Sequence, residues 1–160
     1  MTGKKRKVMG FAVLAVLFVC LLLFFWPRTL DCWTGGQDIA RVHATAGETT
    51  FSLGGIDVAR WTLEREAGQE TETLEEMLAS CRYRLQLRTL FQPGSYEVRS
   101  AKTAMVAFTL TDGSSLWVNC YGDFVVIEPG DRDVRIFAVP TDKNLTDRLA
   151  DYLISTGEKQ

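Results

Sequence analysis

A long apolar run near the amino terminus limits what this chain can fold into more than any other feature. It extends from Val8 to Trp26, nineteen residues without a charge. At about 1.5 Å of rise per residue, a helix of that length is about 28 Å long, close to the ~30 Å hydrocarbon core of a bilayer. The rest of the chain is too short to enclose such a helix in a core. The sequence therefore predicts a transmembrane helix over residues 8–26.

The charges on either side of the run predict its orientation. A basic tip precedes it, made up of Lys4, Lys5, Arg6 and Lys7. Such a cluster also resembles a nuclear import signal, but beside an apolar run it acts as a cytoplasmic topology anchor. We therefore expect a single-pass protein of the cell membrane, with residues 1–7 in the cytoplasm and the carboxy-terminal domain outside it.

The end of the run argues against removal by a signal peptidase. Such sites follow an apolar core of about 7–15 residues and need small side chains, whereas this longer run ends in the bulky residues Phe24, Phe25 and Trp26. A lipoprotein leader is also disfavoured, because Cys20 lies in mid-run and Cys32 follows an aspartate. The sequence favours an uncleaved signal anchor, and a cleaved, secreted form is the alternative.

The remaining residues are enough for one domain of about 130 residues. The chain has 18 Lys and Arg against 20 Asp and Glu. Because four of the basic residues lie in the tip, the remainder is net acidic, which argues against nucleic acid as a partner. We expect residues 27–37 to form a tether and residues 38–156 to form the extracytoplasmic domain.

The first part of this domain shows the two-residue alternation of strands. We expect a strand over residues 38–46, a hairpin turn at 47–49 and a short return strand over 50–53. Gly54 and Gly55 would end that strand, and a further strand would follow over residues 56–64.

The second part predicts helices at two places and strands between them. Thr73 and Glu76 form a capping box at the start of a helix, which gives way near Cys81 to a strand with the sequence RYRLQLRTLF. Asn144 is the expected N-cap of a final helix that ends before Gly157. The other strands are expected at 103–111, 115–121, 124–129 and 134–140. This order indicates an α+β fold, in which helices pack on one face of an antiparallel sheet.

The four cysteines match no zinc or redox spacing. A disulfide between Cys81 and Cys120 would form in an oxidising compartment if the two are within reach, and the alternative is that both are small, buried apolar residues. Cys32 would then be left to link two copies of the chain.

No set of residues indicates a reaction. His43 is the single histidine, and a general base would still need a nucleophile and an orienting partner. Asp131 and Asp133 are typical of a turn. We therefore predict no catalytic residue, no cofactor and no metal site.

Three arginines at near-alternating spacing are the most suggestive feature for binding. Arg82, Arg84 and Arg88 would line one face of a strand and contact an anionic ligand. The alternative is that their charges protect an edge strand from pairing with other chains.

The layout resembles that of small, membrane-tethered proteins of unknown function that are common in Gram-positive bacteria. The segments that carry the resemblance are TLEEMLASCRYR, VAFTLTDGSSLWVNCYGDFVVIE and LTDRLADYL. It implies a single α+β domain and supplies no catalytic residues.

The hypothesis from sequence is a membrane-anchored, extracytoplasmic binding or assembly module of the cell envelope, not an enzyme. Its expected partners are the lipid bilayer, through residues 8–26, and other envelope proteins or a small ligand. The alternatives are a small envelope enzyme that uses a cleft of carboxylates, or a ligand-sensing domain.

Overall fold

The structure is a computed structural model of the 160-residue chain. It describes residues 3–52, 55–66, 72–92, 98, 100–130 and 133–160, with side chains described for all of these except residues 3–8, 52 and 72.

Five helices and eight strands follow one another in the described residues. The helices are α1 (Gly3–Phe25), α2 (Asp31–Thr34), α3 (Glu72–Ala79), α4 (Arg88–Phe91) and α5 (Leu145–Thr156). The strands are β1 (Ile39–Ser52), β2 (Gly55–Glu66), β3 (Tyr83–Leu85), β4 (Lys102–Leu110), β5 (Ser115–Tyr121), β6 (Phe124–Pro129), β7 (Ile136–Pro140) and β8 (Glu158–Lys159).

The predicted transmembrane helix is not borne out. Helix α1 ends at Phe25, and Trp26 lies in the bend that follows. Within the described part of the chain, no helix has both the length and the apolar character to cross a membrane. The prediction of a single-pass signal anchor over residues 8–26 is therefore wrong.

The structure describes the segment that follows α1, but not the side chains of the basic tip at the start of the chain. The side chains of the predicted topology anchor, Lys4, Lys5, Arg6 and Lys7, lie outside the described residues. The segment predicted as a tether contains α2 and packs on the domain, since Leu30 is only 3% exposed. Arg28 and Tyr83 also exchange two backbone hydrogen bonds, of 2.9 and 2.7 Å.

All eight strands form one sheet, in the order β3-β7-β6-β5-β4-β1-β2-β8. Every neighbouring pair is antiparallel. The α+β class with an antiparallel sheet is therefore confirmed. The tight turn between β4 and β5 follows the prediction, because Gly113 takes the positive φ of 84° that such a turn needs.

Helices α3 and α5 cover one face of the sheet, which we call the helix face. Leucines at helical spacing on both helices are fully buried there: Leu74, Leu78, Leu145, Leu149 and Leu153. They pack on the alternate residues of the central strands, such as Val42, Val106 and Val118. The other residues of these strands, such as Thr45, Met105 and Trp117, point to the opposite side, which we call the outer face.

The predicted hairpin turn at residues 47–49 is wrong, because β1 continues straight through it. Gly47 pairs with Arg60 on one side and with Thr103 on the other. A Cβ atom at Gly47 would lie 2.9 Å from the Thr103 Oγ1 atom. The glycine thus permits a close approach of two strands and does not mark a turn.

The predicted strand over residues 82–91 is wrong after Leu85. The chain then forms α4, because at Thr89 the side chain, and not the backbone, makes the hydrogen bonds to strand β7. Its hydroxyl donates to the Phe137 carbonyl at 3.0 Å and accepts from the Phe137 N–H at 2.9 Å. The backbone is thereby freed to form a helical turn.

Candidate interaction surface

The paired strands β1 and β2 extend beyond the rest of the sheet. Strand β4 pairs with β1 from Ile39 to Glu48, whereas β2 pairs with β1 as far as Ser52. The Thr49 N–H still donates to the Ala101 carbonyl at 2.7 Å. Beyond that point the two strands form a projecting hairpin, residues 50–52 and 55–58, which we call the ribbon.

The ribbon carries three large apolar side chains on one side. Phe51 lies opposite Ile56 in the strand register, and Val58 follows two residues later, so all three point to the outer-face side. Their exposed fractions are 73%, 66% and 64%. We call these three residues the ribbon patch. Because no other strand or helix of the described structure covers them, they are available to a partner.

The ribbon patch continues onto the outer face of the sheet. A shallow depression of about 290 Å³ lies at the base of the ribbon, and Val58, Arg60, Met105 and Tyr121 contribute to its lining. Met105 and, further along, Trp117 are each 38% exposed. An apolar surface rimmed by polar side chains is typical of a site of protein contact.

The outer edge of β2 is open next to the ribbon patch. Strand β8 pairs only with Trp61 and Thr62, and the Gln160 N–H donates to the Arg60 carbonyl at 2.9 Å. Because backbone groups alternate in direction along a strand, those of Val58 and Ile56 also point outward. Neither residue has a partner on that side among the described residues.

Exposed apolar side chains also occur on α1 and α4. Those of α1, from Met9 to Leu23, lie on all sides of the helix, so they define no single contact face. Leu90 and Phe91 of α4 are exposed, as is Leu87 just before the helix, and the three are spread around a single short turn. The ribbon differs from both because its apolar side chains lie beside an open strand edge.

The single histidine lies at the far end of the outer face and is exposed. His43 is opposite Ala107 on one side and Glu64 on the other. Nearby, Arg41 forms exposed ion pairs with Glu64 at 4.0 Å and Glu66 at 3.6 Å, which contribute little to stability. Glu64 and Glu66 line an open surface depression of about 290 Å³ together with Arg41 and Arg65. The alternative of an enzyme that uses a cleft of carboxylates stays a prediction.

No metal site is evident in the part of the chain that the structure describes, where no three His, Cys, Asp or Glu side chains are grouped to hold an ion. Of the two aspartates that the sequence assigns to a turn, Asp131 lies outside the described residues and Asp133 is exposed.

The three arginines of the predicted anion-contact strand are divided between elements. Arg84 is exposed on the edge strand β3, and Arg82 immediately precedes this strand. Arg88 belongs to α4, with its guanidinium carbon 5.8 Å from the centre of the Phe124 ring. The structure thus brings Arg82 and Arg84 together at the sheet edge and places Arg88 elsewhere. Anion binding by these residues stays a prediction.

The cysteines fall into two classes. Cys20 and Cys32 are exposed, whereas Cys81 and Cys120 are buried in the core, and all four thiols are unbonded in the structure. Burial raises the pKa of Cys81, and it raises the pKa of Cys120 to about 12. These two thiols are therefore protonated and inert at neutral pH.

Sequence reasoning missed the ribbon because it read Gly47 as a turn. The alternation of β1 in fact continues through Thr49 and Phe51, both residue types that favour strands. Gly54-Gly55 was then the better candidate for the hairpin turn.

No family model, no curated protein and no solved structure matches the chain.

Proposed function

We propose that this chain is a protein-interaction module that binds its partner through the ribbon patch. The observation that carries the proposal is the combination of Phe51, Ile56 and Val58, three exposed apolar side chains on one side of a projecting hairpin. The role as a binding or assembly module agrees with the hypothesis from sequence.

The energetics of the ribbon favour a bound state. A two-stranded hairpin is only marginally stable by itself in water, because it lacks a third layer against which to bury side chains. Covering a Phe, Ile or Val side chain contributes about 1.5–3 kcal/mol each. Three such side chains supply enough to offset part of the entropy lost when two proteins associate.

The chemistry of the ribbon patch favours a protein partner over a small ligand. Phe51 and Ile56 project from the end of the hairpin, whereas small-molecule sites are concave and enclose most of the ligand. The depression at the base of the ribbon is shallow and adds polar rim residues such as Arg60. A protein surface with apolar side chains surrounded by polar ones would complement both the projecting ribbon patch and the polar rim of the depression.

Site-directed photo-cross-linking of the full chain tests this proposal in the cells that express it. A benzophenone amino acid is placed at Phe51, at Phe91 on the rival surface of α4, and at Lys143 as a background control in an exposed loop. The expected result is a protein adduct from position 51 at a yield at least about tenfold above that from positions 91 and 143.

Two outcomes contradict the proposal. An adduct from position 91 without one from position 51 assigns binding to α4. Equal and low yields at Phe51 and Lys143 show that the ribbon patch is not covered by a protein.

A further inference from the structure

We infer that the partner of the ribbon patch places a carboxylate side chain, from Asp or Glu, against Arg60 in the depression at the base of the ribbon. The inference rests on the proposed function of the ribbon patch and adds the chemistry of the partner. It is carried by the charge of the depression and by the position of Arg60 beside the patch.

The depression forms where β1 has no side chain on the outer face. Gly47 lies between Arg60 on β2 and Thr103 on β4 in the strand register. Because a glycine separates these two side chains, a depression of about 290 Å³ opens there. A side chain at position 47 would fill it, and its Cβ atom would already lie 2.9 Å from the Thr103 Oγ1 atom. The depression therefore has room for a side chain from another protein.

The depression has a positive charge that the chain does not compensate. Arg60 is the single charged residue among the described residues that line it. The other lining groups are apolar, such as Val58 and Met105, or are hydroxyls, such as those of Thr45 and Thr49. Arg60 forms no ion pair with any described residue. The hydroxyls can also donate to an anion, so an anionic group matches the depression in both charge and hydrogen bonding.

The nearest carboxylates of the chain itself are directed away from Arg60. Glu48 on β1 and Asp57 on β2 have their side chains on the helix-face side, because they alternate with the outer-face residues of the same strands. Glu64 shares the outer face with Arg60, but it lies further along β2 and already contacts Arg41 at 4.0 Å. The compensating carboxylate must therefore come from the partner.

Binding at the ribbon patch would remove Arg60 from water. Arg60 follows Val58 by two residues on the same face of β2, a separation of about 7 Å along a strand. A partner that covers Val58 therefore also covers the guanidinium. A buried guanidinium without a counter-charge strongly destabilises a complex, whereas a carboxylate can bind it through two parallel hydrogen bonds. The surface that fits is apolar opposite the ribbon patch and carries an Asp or Glu next to that apolar area.

Carbodiimide coupling of the full chain in the cells that express it tests the inference. The variant Arg60→Lys keeps the positive charge and supplies an amine, which a membrane-permeant carbodiimide joins to a carboxylate in contact with it. Native Lys143, exposed in a loop of the same chain, is the internal control for random coupling. We expect peptides that join position 60 to an Asp or Glu of another protein, at a level at least about tenfold above those that join Lys143.

A charge reversal measures how much the carboxylate contributes to binding. The benzophenone at Phe51 is combined with Arg60→Glu, or with Lys143→Glu as the matched change of charge. Both side chains are exposed, so neither substitution should disturb the fold. We expect Arg60→Glu to lower the yield of the adduct from position 51 at least about tenfold, because like charges then face each other, and Lys143→Glu to leave it unchanged.

Two results overturn the inference: coupling at position 60 that does not exceed that at Lys143, or an adduct from position 51 that Arg60→Glu does not reduce. Coupling of position 60 to a small carboxylic acid instead of a protein also overturns it and assigns the depression to a small ligand. If any of these results is found while the benzophenone at Phe51 alone still gives a protein adduct, the proposed function stands and the partner binds without this carboxylate. If the benzophenone alone gives no adduct, the proposed function itself is wrong.

Discussion

Phe51 and Ile56 lie directly opposite each other at the end of the ribbon, on the same side and largely exposed. The domain does not lack a core that could have buried them, since Phe108 and Phe137 are fully buried on the two faces of the same sheet. The exposed pair is therefore an addition to a complete core. Burial of Phe51 and Ile56 against a partner would explain why these apolar side chains are exposed in the single chain.

Substitutions in the ribbon patch should barely change the stability of the isolated chain. We expect Phe51→Ser to change the free energy of unfolding by less than about 0.5 kcal/mol, as is usual for exposed positions. Phe108→Ala should lower it by about 3–5 kcal/mol, because it removes a fully buried ring. Urea denaturation of both variants measures the difference. A loss at Phe51 comparable to that at Phe108 would show that Phe51 belongs to the core.

Most of the fold could be predicted from local sequence patterns, as α5 and the turn between β4 and β5 illustrate. Asn144 and the spacing of Leu145, Leu149 and Leu153 predict α5, and the structure has this helix from Leu145 to Thr156. The Asp112-Gly113 turn is encoded locally by a residue that tolerates positive φ. Features of this kind depend on residues a few positions apart, so a sequence contains them directly.

The ribbon and helix α4 could not be predicted in this way, because both depend on residues distant in sequence. Gly47 resembles a turn residue until Thr103 is known to lie against it. Thr89 resembles a strand residue until its hydroxyl is seen bonded to both backbone groups of Phe137. The ribbon patch was missed for the same reason, since it forms where β1 extends beyond the end of its pairing with β4.

Stability should depend on pH through Asp142, which lies just before α5. Its carboxylate accepts from the Asn144 N–H at 2.9 Å and from the Arg148 guanidinium at 2.7 Å. These two bonds, the first with the larger effect, hold the pKa of Asp142 below its usual value of 3.8. A carboxyl group with a lowered pKa stabilises the fold above its unfolded-state pKa, and this contribution is lost as the pH falls through the folded-state pKa.

Urea midpoints measured from pH 7 down to about pH 2 test this dependence. Asp142→Asn should be less stable than the native chain at neutral pH, and the difference should shrink as the pH falls below about 4. The exposed Asp133 serves as the matched position, and Asp133→Asn should track the native chain across the range. A constant difference between Asp142→Asn and the native chain at all pH values would show that the carboxylate charge is not involved.

The thiols should react in two groups. Exposed Cys32 should be labelled by a maleimide in the folded chain, whereas Cys81 and Cys120 should react at least about tenfold more slowly, because burial both shields them and raises their pKa. Mass spectrometry of peptides labelled with and without urea measures each site.

The same labelling decides whether the predicted disulfide forms in the protein as isolated. If Cys81 and Cys120 stay unlabelled in urea until a reductant is added, they are bonded to each other. If urea alone exposes both to the maleimide, they are buried free thiols, as in the structure.

The measurement that tests the central claim most directly is the accessibility of the ribbon patch to a thiol reagent in intact cells. Cysteine is placed at Phe51, or at Lys143 as the control, in a Cys20→Ser, Cys32→Ser background, and intact cells are treated with N-ethylmaleimide. Both positions are exposed in the single chain. If a protein partner covers the ribbon, the cysteine at position 51 should be labelled at least about tenfold more slowly than the one at position 143, and the rates should become equal in denaturant. Equal rates in intact cells would contradict the account.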